Sequence, residues 1–318
     1  MSETPIGVVA SGRTVEDVIG MIERAEQMGI HAVWLTGGGA RIDSLTVYAV
    51  AAARTSVIKL GTSIVPTYPR HPLVMAGQVQ VIDQLAPGRF RLGIGPSHRP
   101  SMEGMGITFD SPLTNLREYV QVLKPLLQEG RVDFDGKHYQ VHESLAAPVN
   151  VPVMGSALQR KSFEVCGEVA DGAISWICPP EYLRDVGLPA MREGAGAAGR
   201  AVPPLMAHAP VCLSEDREQV REAVMAQIPN PRLKFYQRML VAAGIPGPFD
   251  GEWSDAMMDA VVFWGDEARV AGRISELLSF GADEVLVSPI LPGDDKPAAM
   301  ERTMRFLGKI AGESGTRG

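Results

Sequence analysis

Leu60-Gly-Thr-Ser-Ile-Val-Pro-Thr-Tyr-Pro-Arg-His-Pro-Leu73 begins as a buried strand and ends as the start of a helix. Small polar Thr62 and Ser63 interrupt its apolar run, and three prolines follow at Pro66, Pro69 and Pro72. Proline cannot donate to a ladder, so the strand must stop there. Pro72 falls in a first helical turn, where the missing N–H costs nothing. The stretch is therefore one strand–loop–helix unit, with the strand over 58–65 and the helix over 71–85.

The same unit recurs on both sides. Upstream lies a strand at 6–10. Its helix opens on Thr14, with Asp17 at the capping-box position and Val15, Val18, Ile19 and Ile22 on one face. A strand at 31–35 and a helix at 43–54, opening on Asp43, complete the second unit. Downstream, Ala86-Pro-Gly88 stops the third helix and a strand spans 90–95. The helix at 113–128 contains Pro125, which must kink or shorten it. A hairpin over 132–141 turns at Asp135-Gly136. Strands at 151–154, 172–177, 205–213 and 284–290 each lead into helices, at 159–169, 181–195, 216–227 and 297–311. A Pro/Gly-punctuated insertion over about 229–264, with two helical pieces, and a helix at 268–280 precede the last strand.

Eight βα units with short, Val- and Ile-rich strands predict a parallel sheet buried on both faces. A (β/α)8 TIM barrel accommodates all eight; an open doubly wound sheet is the other arrangement. A two-domain dehydrogenase needs a dinucleotide fingerprint near its start, and none is present. No repeat, linker or shift in composition divides the chain, so 1–318 reads as one domain.

The composition narrows the partners. The 318 residues carry a formal charge of −7, with 45% apolar and 21% charged residues. Such a chain builds a sizeable core, and its acidic balance opposes non-specific binding to nucleic acid. No apolar run approaches the ~20 residues of a membrane span. The N-terminus lacks the basic start and apolar run of a signal peptide. Cys166, Cys178 and Cys212 are scattered, so no disulfide framework is expected and a cytoplasmic setting is the default.

In a barrel, chemistry lies where strands end. Strand 2 ends in Leu35-Thr-Gly-Gly-Gly39, either a flexible turn or a close approach to a ligand. Strand 4 ends in Gly93-Ile-Gly95-Pro-Ser-His98-Arg99; its glycines leave room inside the barrel. His98 is an acid–base candidate, or a surface histidine. Strand 5 runs Met154-Gly155-Ser156-Ala157-Leu158-Gln159-Arg160-Lys161 into a helix. Free N–H groups, small residues and two cations there fit an anion, or simply an ordinary helix start. Arg70-His71 form a second basic spot, and Val287-Ser288-Pro289 a polar turn. His138 and His142, with Glu143, fall on a hairpin strand and suit a metal poorly, so no metal site is expected. No GxSxG elbow, P-loop or carboxylate pair occurs. Tyr236, Met239, Trp253, Met257 and Met258 of the insertion either line a pocket over the mouth or pack the insertion down.

Residues 60–73, followed by Leu85-Ala-Pro-Gly-Arg-Phe-Arg-Leu-Gly-Ile-Gly95, Glu168-Val-Ala-Asp-Gly172 and Gly281-Ala-Asp-Glu-Val-Leu-Val-Ser-Pro289, resemble the luciferase-like monooxygenase superfamily. They look most like its branch using the deazaflavin coenzyme F420. The resemblance implies a (β/α)8 barrel with insertions and a homodimer. It implies a cis peptide between Ser63 and Ile64, forming a bulge behind the central ring. Pro66 and its neighbours would then fix the loop that brings Arg70 and His71 to the rim. Gly95, Pro96 and Ser97 would flank the cofactor, and Ser288 and Pro289 would lie beside its ring. Amides of Met154, Gly155 and Ser156 would hold phosphate, with Arg160 and Lys161 near the anionic tail. His98 stands where sugar-phosphate members carry an acidic proton donor.

Several F420 enzymes carry Asp or His at the end of strand 2, where this chain reads Thr36-Gly37-Gly38. The expected reaction is thus hydride transfer between the deazaflavin C5 and a small organic substrate, as a reductase of an imine or activated alkene. An FMN-dependent monooxygenase fed by a separate reductase is one alternative. A flavin- or deazaflavin-binding protein without catalysis is another.

Overall fold

Eight parallel strands close on themselves: β1 Ile6–Val9, β2 Ala32–Leu35, β3 Lys59–Thr62, β4 Phe90–Gly95, β5 Val153–Ala157, β6 Gly172–Ser175, β7 Leu205–Cys212 and β8 Glu284–Pro289. Each pairs with the next, and β8 returns to β1 with Ile6 opposite Val285 and Val8 opposite Val287. The computed structural model thus selects the closed barrel over the open sheet. It describes residues 4–228, 232–246 and 252–313, so parts of the expected insertion lie outside the described residues. No helix among the described residues is long and apolar enough to cross a membrane.

Local chemistry sets most element ends. Thr14 and Asp17 form the reciprocal capping box of helix Val15–Gln27. Asp43 caps helix Ser44–Arg54 by accepting from the Thr46 amide. Helix Pro112–Lys124 continues through Pro125 as a π-helical turn, Pro125–Glu129, rather than ending there. Two features escaped the periodicity: a short helix, Arg99–Glu103, after β4, and a two-residue strand, Phe263–Trp264, beside the end of β7. Tyr236, Met239, Trp253, Met257 and Met258 are all buried, and the Trp253 indole N–H donates to Ile228 O at 2.7 Å. All five thus pack the insertion down, and Tyr236 also contacts His98.

The expected strand over 58–65 is broken. β3 pairs with β4 at Leu60 and Gly61, leaves the ladder, and returns as Val65–Pro66 opposite Ile94 and Gly95. The Ser63–Ile64 peptide between these parts is cis, as the resemblance implied. On the side facing β3, Gly93 is served by a side chain: Thr62 Oγ1 accepts from Gly93 N and donates to Gly93 O, each at 2.8 Å. A Cβ on Gly93 would lie 1.9 Å from Thr62 O and 2.4 Å from Ile174 Cδ1.

The N-terminal half of the barrel is plugged by an ionic cluster. The Trp34 indole is fully buried and donates to Glu284 Oε1 at 2.7 Å. Arg91 lies 4.5 Å over that ring and reaches both Glu284 oxygens, at 2.6 and 3.2 Å. Above it an apolar layer of Met154, Ile174, Met206 and Leu286 fills the centre. Nothing large enters from below, so any ligand must use the opposite mouth.

Candidate functional site

Side chains alternate along a strand, so the inward set continues two residues beyond the apolar layer. Met154, Ile174, Met206 and Leu286 are followed inward by Ser156, Trp176, His208 and Ser288. Val9 and Ile64 join them and pack partly buried against the layer below. Ser156, Trp176 and Ser288 are half-buried and His208 is buried. The result is a concave mouth with an apolar floor and neutral polar groups on its wall.

Gly93 and Gly95 do not leave the open space that the sequence suggested. A Cβ on Gly95 would meet Ser156 Oγ at 2.2 Å and Ile64 Cδ1 at 3.3 Å, so protein atoms already fill both places. These glycines admit Thr62 and the Ile174, Ser156 and Ile64 side chains. At the end of β2, Gly37 N donates to Ile64 O at 3.0 Å, and Thr36 is exposed. That glycine turn therefore braces the broken strand.

His98 follows β4 beside half-buried Pro96 and Ser97, the latter left-handed at φ 62°. Its ring lies 5.1 Å from Phe235 and 6.1 Å from Tyr236, both on helix Lys234–Ala242. Its Nδ1 is buried without a hydrogen-bond partner. Burial lowers its pKa, with the Ser97 backbone opposing in part.

Sequence reasoning missed a buried polar group in the mouth, His208. Ile177 N donates to His208 Nδ1 at 3.1 Å, and His208 Nε2 lies 2.7 Å from Ser288 Oγ. Trp176 stacks on the imidazole with centroids 3.6 Å apart and planes 14° from parallel. Burial pushes the His208 pKa down to about 3. A lone histidine in the apolar run 205–213 reads as core. The available signal was its position two residues past inward-facing Met206.

The other expected residues scatter. Arg70 Nη2 bonds Asp43 Oδ2 at 2.6 Å, and its Nη1 is buried without a partner. Burial favours a raised pKa for Asp43, but the Arg70 and Thr46 hydrogen bonds outweigh it and the pKa is lowered. His71 opens the helix Pro72–Leu85. It is exposed, accepts from Leu73 N at 3.2 Å as a helix cap, and lies edge-on to Tyr139 at 5.8 Å. Pro66 stands opposite Gly95 in the barrel wall, and Ser63 is buried with an unpartnered hydroxyl. Pro289 is half-buried beside Ser288.

The segment expected as a phosphate-binding turn is not a turn. Met154, Gly155 and Ser156 lie inside β5, the first two paired with both β4 and β6 and Ser156 with β6 alone, because the strand runs three residues past its expected end. The turn proper is Leu158 and Gln159, whose amides donate to Ser162 Oγ at 2.9 and 3.0 Å. Arg160 is paired with Glu193 and, at 3.5 Å, Glu164, while Lys161 is exposed. Among the described residues no cluster of His, Cys, Asp and Glu could hold a metal. Burial pushes all three thiols up to about 12, which removes them as nucleophiles.

Comparison with known proteins agrees with this architecture. A family model described as luciferase-like monooxygenase matches residues 2–284. The chain is 29% identical over 294 residues to 5,10-methylenetetrahydromethanopterin reductase of Methanolobus tindarius, covering 86% of this chain and 90% of that one. It is 31% identical over 200 residues to F420-dependent glucose-6-phosphate dehydrogenase of Kineococcus radiotolerans, covering 56% and 57%. Among solved structures, an F420-dependent secondary alcohol dehydrogenase in complex with an F420–acetone adduct superposes with a TM-score of 0.80 at 18% identity, over 97% of this chain and 98% of that one.

Proposed function

Because the chain belongs to the luciferase-like monooxygenase family, we propose that it is an F420-dependent oxidoreductase acting as a reductase of an imine or activated alkene. The observation that carries this reading is the mouth itself. An apolar floor of Met154, Ile174, Met206 and Leu286 lies beneath neutral Ser156, Trp176 and Ser288. That combination suits a flat, weakly polar ring with a few hydrogen-bonding edges. The choice of deazaflavin over FMN rests on the relative named for F420. The choice of reduction rests on the end of β2, where exposed Thr36 and two glycines provide no base to take a proton from an alcohol.

The bound deazaflavin supplies hydride chemistry at C5; the chain positions and protonates. Ile64 and the floor would pack against the ring and exclude water. Lys161 is available for the acidic tail, and Arg160 becomes so only by leaving its carboxylate partners. Phe235 and Tyr236 hold His98 beside the mouth, and His98 gives the substrate its proton. His98→Ala should lower turnover about 100-fold or more while leaving F420 affinity nearly unchanged. The donor form is the imidazolium, and the His98 pKa lies below 6.5. Reduction should therefore be fastest on the acid side and decline as pH rises through that lowered value. Rate–pH profiles of wild type and variant check both; equal turnover would remove His98 from the role.

Cofactor identity is tested by titrating the protein separately with F420 and FMN. Half-buried Trp176 serves as the fluorescence reporter. F420 binding with reduction of an imine or enone supports the reading. Tight FMN binding with oxygen uptake, and none for F420, replaces it with a monooxygenase. Binding without turnover in a broad reductase screen replaces it with a non-catalytic carrier.

The same reading includes a cytoplasmic homodimer. Val50 on helix Ser44–Arg54, and Val74, Val81 and Leu85 on the adjoining helix Pro72–Leu85, are exposed. Val57, 72% exposed, lies just beyond the first helix. A row of this kind on neighbouring helices favours association. Val81→Glu should convert a dimer to a monomer in light scattering without unfolding it. A monomeric wild type would remove the dimer.

A further inference from the structure

The short contact between His208 Nε2 and Ser288 Oγ has a direction that a third group decides. Ile177 N–H points at His208 Nδ1 from 3.1 Å. A backbone amide only donates there, so Nδ1 must present its lone pair. A neutral imidazole has one ring proton, and it then sits on Nε2. Burial keeps the ring neutral, since its pKa falls to about 3. Nε2–H therefore donates to Ser288 Oγ across 2.7 Å. Having accepted that bond, the hydroxyl turns its own hydrogen away from the ring.

The surroundings fix this arrangement. Trp176 lies flat on the imidazole at 3.6 Å, which restrains its plane. Ile177 holds a left-handed φ of 46°, uncommon for a β-branched residue, at the same position whose N–H meets Nδ1. An unassisted serine hydroxyl donates or accepts as its partner requires. Here one of the two choices has been removed before any ligand arrives.

We propose that Ser288 is a hydrogen-bond donor pre-aimed into the mouth, that His208 is its positioning residue, and that its partner is a carbonyl oxygen or sp2 nitrogen on the ring of the bound cofactor. The inference rests on the reading that this mouth holds a flat redox ring. It also separates two roles. His208 cannot relay a proton through Nδ1, because the backbone amide facing it donates a hydrogen bond but does not ionise. The pair orients and polarises, and protonation is left to His98.

The test uses the full chain and measures F420 dissociation constants and the absorption band of bound F420. Ser288→Ala should weaken binding about five- to tenfold, the loss of one neutral hydrogen bond, and shift that band. His208→Asn keeps an acceptor for Ile177 N–H but cannot reach Ser288, so it should reproduce the effect. His208→Gln places a donor near the Nε2 position and should bind within about twofold of wild type, well inside the range of one hydrogen bond. A merely structural histidine would not separate these two amides. Wild-type affinity and spectrum in Ser288→Ala, or equal weakness in both amide variants, would overturn the proposal. Should His208→Asn fail to fold, Ser288→Ala against hydroxyl-bearing Ser288→Thr decides. If the wild type binds FMN instead, the same comparisons are made with FMN. If it binds neither, the reading of the mouth falls and takes this inference with it.

Discussion

Glu284→Ala should cost about 3–5 kcal/mol of stability, the largest loss expected from any single truncation in this barrel. Glu284 is 2% exposed, and its carboxylate accepts from Arg91 at 2.6 and 3.2 Å and from the Trp34 indole at 2.7 Å. Removing it strands a guanidinium and an indole N–H together inside the cylinder. The melting temperature should fall by roughly 10 °C. Much of that loss reflects what is left behind rather than the worth of the pair. Glu284→Leu combined with Arg91→Met should therefore recover most of it, because apolar replacement of a whole buried pair is often neutral or better. Denaturant unfolding of the single and double variants measures the coupling. A single variant within 1 kcal/mol of wild type would show that water reaches this end of the barrel.

Gly93→Ala should be the second most damaging change and should act on the ligand as well as on the fold. The new methyl would stand 1.9 Å from Thr62 O, a backbone atom that moves only if β3 moves. Overpacking of a core costs typically 1–3 kcal/mol, and a backbone clash of this depth belongs at or above the upper end. Thr62 bridges to both polar groups of Gly93, so displacing it also breaks two bonds of 2.8 Å. Ile64, on the mouth, sits two residues further along the same segment. F420 binding should therefore fall together with melting temperature. An alanine variant that melts and binds like wild type would mean that β3 yields freely.

How much of this was legible is best judged residue by residue. Thr14, Asp17, Asp43 and Pro72 announced helix starts because capping is settled within three residues of chain. The eight alternating units announced a parallel sheet. His208 did not announce itself, because its partners, Ile177 and Ser288, are 31 and 80 residues away. Arg91 and Glu284 are 193 residues apart, and neither position has a local pattern that marks it as paired. Gly155 and Ser156 looked like part of a turn because small residues permit one; pairing with β4 and β6 at Met154 and Gly155, and with β6 at Ser156, made the segment a strand.

What the sequence determined by itself is the eight principal strand–helix units, their order and the ends at which chemistry must gather. Capping, periodicity and proline placement act over a few residues and need no knowledge of the rest of the chain. What only the tertiary structure decided is closure, the break in the third strand, and which side chains face the axis. Facing inward is defined only once β8 has returned to β1, since strand alternation alone does not say which of two faces is the interior.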